Sequence, residues 1–233
     1  NDSGLDATGT YSFAEGRGTT ASGDNGSHAE GQGTIASGNG SHAEGYLTIA
    51  SGLYSHSEGD STTASGLASH AEGNGTTASA DYSHAEGNGS IANGFHSHAE
   101  GLLTVTSGHA SHAEGHFSIA GGDDSHAGGV SSIASGNTSF IHSTNSLVIG
   151  DRSVVLGGQN ITGTTDDTVY VPNLNIGTVS TGTSVNTLGI DSNGFVVTAT
   201  TATGIAKYAA NIPMTGATIE TVTHSLGTTD VQV

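Results

Sequence analysis

A pentad of Ser, His, Ala, Glu and Gly returns with its serine at Ser27, Ser41, Ser55, Ser69, Ser83, Ser97, Ser111 and Ser125, always 14 residues on, with only small changes of spelling. A second pentad runs between these, as in "TIASG" at 34–38 and 48–52, "TTASG" at 62–66 and "SIASG" at 132–136. Two five-residue segments thus alternate with two-residue links. A fixed short period of this kind marks a solenoid. Five residues is a strand length and a Gly-ended link is a tight turn, so one period predicts one coil of two short strands. Helices are disfavoured because Gly and β-branched residues recur in every period. Stacked coils would pair as parallel strands about 4.8 Å apart, and about nine of them would make a rod of roughly 45 Å.

Strand alternation sorts the slots. Ser41, Ala43 and Gly45 share one face of the first strand, and His42 and Glu44 share the other. In the second strand Thr48, Ala50 and Gly52 share a face opposite to Ile49 and Ser51. One face of each strand is uniformly small, so two such faces turned together predict a thin roll with its large side chains outside. A roll of this kind buries little apolar area against its ordering entropy. It therefore needs other copies of itself, and closed cyclic symmetry would supply the missing burial.

Composition agrees. Of 233 residues only 33% are hydrophobic, 38 are Gly, and the formal net charge is -18. Such numbers normally argue disorder, but the strict period overrides them. Arg17, Arg152 and Lys207 are the only Lys and Arg residues, so no phosphate-tracking surface can be built and nucleic acid is not an expected partner. No apolar run reaches the length of a membrane span, and membrane insertion is not expected. The absence of cysteine excludes disulfides and thiolate chemistry and is compatible with folding in a reducing compartment. The start "NDSGLDATG" has neither an initiator Met nor a signal-peptide pattern, so a fragment or processed product is expected.

The His/Glu face is the constrained one. His28, His42, His56, His70, His84, His98, His112 and His126 fill one slot. Glu30, Glu44, Glu58, Glu72, Glu86, Glu100 and Glu114, with Glu15 before them, fill the next. The links meanwhile drift through Asn-Gly, Tyr-Leu, Leu-Leu and His-Phe. A solvated face has no need of one residue identity, so this face reads as the surface buried between subunits, a polar core in which carboxylates accept from imidazole N–H groups above, below and across an axis. Phe13 and Phe140 take the His slot in "SFAEG" and "SFIHS" and would plug the two ends. "NSLVIG" at 145–150 and "SVVLG" at 153–157 then read as aliphatics in the His and Glu slots.

The same residues admit other readings. Imidazole and carboxylate are zinc and nickel ligands, but every slot repeats and no single site stands out, so no metal and no cofactor are expected. Stacked glutamates about 5 Å apart approach the carboxylate spacing of retaining glycosidases, yet a ladder without a cleft is no active site, and the chain does not read as an enzyme. The column Thr34, Thr48, Thr62, Thr76, Ser90 and Thr104 resembles an ice-binding ladder but alternates into the roll. Tyr46, Tyr54, Tyr82, Phe95 and Phe117, with Leu47, Leu102 and Leu103, are large for link positions and read as contacts with a neighbouring chain or a receptor. Two pH behaviours stay open. Imidazolium facing carboxylate would raise the His pKa values and depress those of Glu, with stability declining on both sides of a maximum; neutral imidazoles would leave only the acid decline.

"NSLVIG" followed by "SVVLG" resembles the N-S-V-A-I-G repeat of YadA-like heads, found in trimeric autotransporter adhesins and phage fibres, and the SHAEG coils look like its polar version. The resemblance covers residues about 7 to 157. It implies an all-β fold, a trimeric left-handed parallel β-roll, with His42 on the slot of the axial Val, Glu44 on that of the axial Ile, and Thr48, Ala50 and Gly52 on the S-x-A-x-G slots. Four segments are expected: the SHAEG roll at 1–143, aliphatic YadA-like coils and a transition at 144–166, a β connector at 167–204, and the start of a truncated C-terminal β domain at 205–233. "TVYVPNLNIGTV" and "TLGIDSNGFVVTAT" are similar to phage tail-fibre connectors, and "ATIETVTHSLGTTDVQV" resembles the start of a small fibre β-domain.

The resulting expectation is a homotrimeric fibre or spike segment of a virus, a tailed bacteriophage above all, located in the virion. It would be a stiff spacer joined to other tail proteins, with a host cell-surface receptor, glycan or protein, bound here or more distally. The alternative is the head of a bacterial trimeric autotransporter adhesin at the cell surface. That reading requires a coiled-coil stalk, and no heptads follow residue 157.

Overall fold

Each 14-residue period closes into one coil because both of its corners turn through a left-handed residue. In the computed structural model, which describes residues 4–172 and the strands Thr187–Ile190 and Val196–Ala199, these are Leu47 (φ 54°) and Tyr54 (φ 59°) in one coil and Leu103, Phe117, Tyr82 and Ala110 at equivalent places farther on. Bulky residues pay about 1–2 kcal/mol for this conformation. The corner turns their N–H groups back toward the previous coil, where Leu47 donates to the Gln32 carbonyl and Tyr54 to the Asn39 carbonyl, each at 2.9 Å. Strand N–H groups point the other way, as His42 donates to the Ser55 carbonyl at 2.9 Å. Every coil is therefore tied to both neighbours.

Two twelve-stranded parallel sheets result. One runs from Phe13–Arg17 to Val169–Tyr170 and carries the SHAEG strands, such as His42–Tyr46. The other runs from Asp6–Ala7 to Thr162–Gly163. Register follows residue identity: His42 pairs His56, and Glu44 pairs Glu58. No helix occurs among the described residues. The roll is longer than the repeated spelling implies, since twelve coils at about 4.8 Å give roughly 55 Å. The end coils change their letters but keep the spacing. Two coils hold one residue more, at Asp24-Asn25-Gly26 and at Gly157-Gly158, where the register shifts.

The second pentad forms only a two-residue strand, Ile49–Ala50, where five residues were expected. The N–H groups of Ser51 and Gly52 both reach the Ala64 carbonyl, at 2.9 and 3.3 Å, so the chain is already bending there. The inner face is as small as alternation predicts. Ala43, Thr48 and Ala50 are fully buried and Ser41 nearly so, and the Thr34-to-Thr104 column lies inside. Gly45 is the exception. It lies exposed with φ 107°, and a Cβ there would stand 2.2 Å from the Gly59 carbonyl oxygen, so glycine is fixed by close stacking and not by an inward side chain.

The apolar part of the core is alanine, with Ser57 and Thr106 in two of its slots, until Ile141, Val148 and Val155 enlarge it. This corrects the placing of "NSLVIG". Leu147 pairs Ile133 and Val148 pairs Ala134, so the segment continues the second pentad and puts Val148 inside. Only "SVVLG" follows the axial slots, with Val154 behind Phe140 and Leu156 behind His142. The parallel ladder continues to Tyr170, past residue 166. The strands on either side of Ser192-Asn193-Gly194 pair antiparallel, Thr187 with Ala199 and Ile190 with Val196. Residues 173–186 and 200–233, including the C-terminal β segment read from the sequence, lie outside the described residues.

Candidate functional site

The outward slots of the SHAEG strands build two columns. Imidazoles from His28 to His112 stack with centroids 4.7–4.9 Å apart and planes within 5° of parallel. Phe13 lies 5.3 Å from His28 at one end, and Phe140 lies 4.8 Å from His126 at the other. The stack breaks before that second end, where His112 and His126 meet at 72°. There Gly128 stands in the Glu slot, and His142, unrecognised in the sequence, leans over it to 3.7 Å from Glu114. Its signal was available: "FIHS" aligned on "HAGG" puts His142 in the Glu slot.

Each imidazole faces the carboxylate of the preceding coil. The Nε2–Oε1 distance is 3.9 Å for His42–Glu30, 3.8 Å for His56–Glu44, 3.6 Å for His70–Glu58 and 3.4 Å for His84–Glu72. It then closes to hydrogen bonds of 3.0 Å for His98–Glu86, 3.1 Å for His112–Glu100 and 3.3 Å for His126–Glu114. In the amino-terminal half, the Nε2 atoms of His28, His42, His56, His70 and His84 are out of solvent contact and have no hydrogen-bond partner. Buried polar groups of this kind are rare and call for an explanation. The side chains are otherwise about one-third exposed, 35% for His42 and 33% for Glu44.

Protonation follows the crowding. Burial, reinforced by neighbouring imidazoles, holds His42, His56 and His126 below the usual histidine range. For these three the direction favours the neutral imidazole. The glutamates do not behave alike. Glu58 and Glu30, placed to accept from a protonated Glu44, push Glu44 up to about 7, while Glu44 in turn holds Glu30 and Glu58 below the ordinary carboxylate range. A raised Glu44 between lowered Glu30 and Glu58 eases the self-repulsion of this part of the column. An open groove of about 530 Å³ runs along Glu15, Glu30, Glu44 and Glu58. The columns also bring donors together in threes, as His70, Glu72 and His84 place one ligand atom each within 4.8 Å of the others.

The link residues lie along the corners, exposed by 40% for Phe95, 45% for Tyr46, 47% for Tyr82 and Phe117 and 61% for Tyr54. Tyr54 sits over Gly40 of the coil before and Leu47 over Gly33. Tyr82, Phe95, His96 and His109 form one aromatic cluster, with Tyr82 and His96 stacked at 4.8 Å. A further face was underrated in the sequence. The outward slot of the second sheet holds Ile35 and Ile49, then Thr63 and Thr77, then Ile91, Val105, Ile119 and Ile133, so a half-exposed aliphatic stripe runs from Ile91 to Ile133 with a shorter one before the threonines. The alternation that put Ile49 outside was enough to find it.

Residues 29–55 match the YadA head domain repeat in two copies. No curated protein matches the chain. The match covers two coils, and the solenoid around it keeps their parallel pairing and, but for two one-residue insertions, their length, so the described roll has the architecture of a YadA-like head, a fibre-like structural repeat.

Proposed function

We propose that this YadA-like head β-roll is the shaft of a homotrimeric extracellular fibre, with the His and Glu columns of three protomers meeting along the axis. The observation that carries the reading is the row of five imidazole Nε2 atoms without partners, on a face that keeps one residue identity per slot. A partner chain supplies the missing acceptors. The thin interior adds to the argument, because a core of alanine, serine and threonine buries too little apolar area to offset ordering entropy alone. Neighbours in a cyclic trimer meet through two different surfaces, and the roll offers two, the His/Glu face and the aliphatic stripe from Ile91 to Ile133.

In this reading the coils act mechanically. A stiff rod holds a receptor-binding part away from the particle that carries it, and a net charge of -18 per chain keeps such a rod soluble and discourages unspecific sticking. A phage tail fibre, in a virion and facing a host surface receptor, is the form we favour, since the segments after the roll resemble fibre connectors. The YadA head match equally fits an autotransporter adhesin head on a bacterial surface. Sedimentation equilibrium of the full chain tests the common core of both forms: a trimer is expected, and a folded monomer at all concentrations contradicts it.

A further inference from the structure

We propose that the His and Glu columns bind divalent transition-metal ions, each held by the imidazoles of two successive coils and the glutamate between them. The donor sets are complete within one chain. His70, Glu72 and His84 place their ligand atoms within 4.8 Å of one another, and the sets centred on Glu86 and Glu100 repeat the arrangement one and two coils on. Ligands on a four-coordinate ion with bonds of about 2.1 Å stand roughly 3.4 Å apart. The carboxylate–imidazole pairs are already there, at 3.4 Å for Glu72–His84, 3.0 Å for Glu86–His98 and 3.1 Å for Glu100–His112. The second imidazole of each set is stacked 4.7–4.9 Å away and needs only to tilt toward the ion.

The Nε2 atoms of His70 and His84 lack any hydrogen-bond partner. In the metal-loaded protein one ion between them takes both Nε2 lone pairs, with the N–H on Nδ1, in place of the acceptors of a partner chain. Two neutral imidazoles and one carboxylate suit zinc, nickel, cobalt or copper, and do not suit calcium or magnesium, which take oxygen donors. The arrangement also limits how many ions fit. Adjacent sets share His84 or His98, and one Nε2 serves one ion, so the run from His70 to His112 takes two ions at its outer sets. Repetition, which argued against a metal in the sequence, spreads the sites along the roll instead of removing them. The inference stands on donors within one chain and does not need the trimer.

The test uses the full chain stripped with a chelator and titrated with zinc by calorimetry, with cobalt absorption as a second readout. Saturable binding is expected, with cobalt bands showing nitrogen ligation. The variant Glu72→Gln/Glu86→Gln/Glu100→Gln keeps every imidazole and is expected to bind two fewer ions per chain. Failure of wild type to bind saturably, or the same ion count in the variant, overturns the proposal. Circular dichroism checks that the variant folds. Where it does not, the wild type decides: zinc raising the melting temperature of the stripped protein supports the site, and an unchanged melting temperature overturns it. Sedimentation of the stripped protein reports separately on the trimer.

Discussion

His98 donates from Nε2 to Glu86 at 3.0 Å, while the same slots two-thirds of the way back along the roll, His42 and Glu30, stand 3.9 Å apart. The same pair of letters is thus a hydrogen bond in one half and a near miss in the other. The unpaired half is where buried imidazole nitrogens accumulate, so its stability depends on what lies across the face.

Replacing a pair tests that dependence. His84→Val with Glu72→Ile, the imidazole and carboxylate that face each other at 3.4 Å, measured with chelator present, puts aliphatics on the slots that Val154 and Leu156 already fill near the end of the roll. Exchanging a buried polar pair for apolar residues is commonly neutral or stabilising by about 1–4 kcal/mol. The double variant is expected to assemble with an equal or higher urea midpoint. Glu72→Ile alone leaves His84 facing no carboxylate and is expected to cost about 1–3 kcal/mol.

Glu44 sets a pH dependence that neither sequence alternative contained. It is faced by Glu30 and Glu58 in its own column and by His42 and His56 at 3.9 and 3.8 Å. Its folded pKa, about 7, lies above the ordinary 4.5, so the folded state holds the proton longer than the unfolded one. The stability it contributes is complete below pH 4.5 and is lost as pH rises through about 7. His42 and His56 have the opposite sense: their pKa values lie below 6.5 in the folded state, so stability is lost as pH falls below 6.5 toward them. Glu44→Gln is expected to gain on wild type above pH 7 and to lose that gain in acid. Unfolding midpoints across this range, on stripped protein, check it; parallel profiles for the two proteins count against a raised Glu44 carboxyl.

The legible and illegible parts of this fold differ in physical kind. The period, parallel register and inward Ala and Thr slots followed from spacing alone, because shifting a strand by one residue would exchange its faces. Gly45 misled, since a small residue on an inward slot looks the same as a backbone fixed by a carbonyl 2.2 Å from its missing Cβ. "NSLVIG" misled because a motif was matched by its letters instead of by counting 14 from Ile133. The raised carboxyl of Glu44 is invisible in the sequence, because its neighbours Glu30 and Glu58 carry the same letter in the same slot.

Stacking also predicts which glycine matters. Gly45→Ala forces a Cβ against backbone, which cannot turn aside, at a φ that alanine avoids. It is expected to cost more than the roughly 1–3 kcal/mol of ordinary overpacking. Gly75→Ala, with open space around it and φ 65°, is expected to cost only the left-handed penalty of about 1–2 kcal/mol. Melting temperatures of the two variants should rank in that order.

A spacer tolerates shortening. Deleting residues 55–68 removes one period and joins Tyr54 to Ser69 in register. The shortened chain is expected to assemble with receptor or host-cell binding unchanged. Assembly with all binding lost would place recognition in these coils.

The account rests above all on the His/Glu face lying between chains, and the chain carries its own controls. His96 and His109 lie exposed on the corners, whereas His42, His56, His70 and His84 lie on the columns. Treatment of the native, metal-stripped protein with diethyl pyrocarbonate, read residue by residue by mass spectrometry, compares them in one sample. The account predicts rapid modification of His96 and His109 and protection of the column histidines until the protein is unfolded. Column histidines that react as fast as His96 and His109 in the folded protein would contradict it.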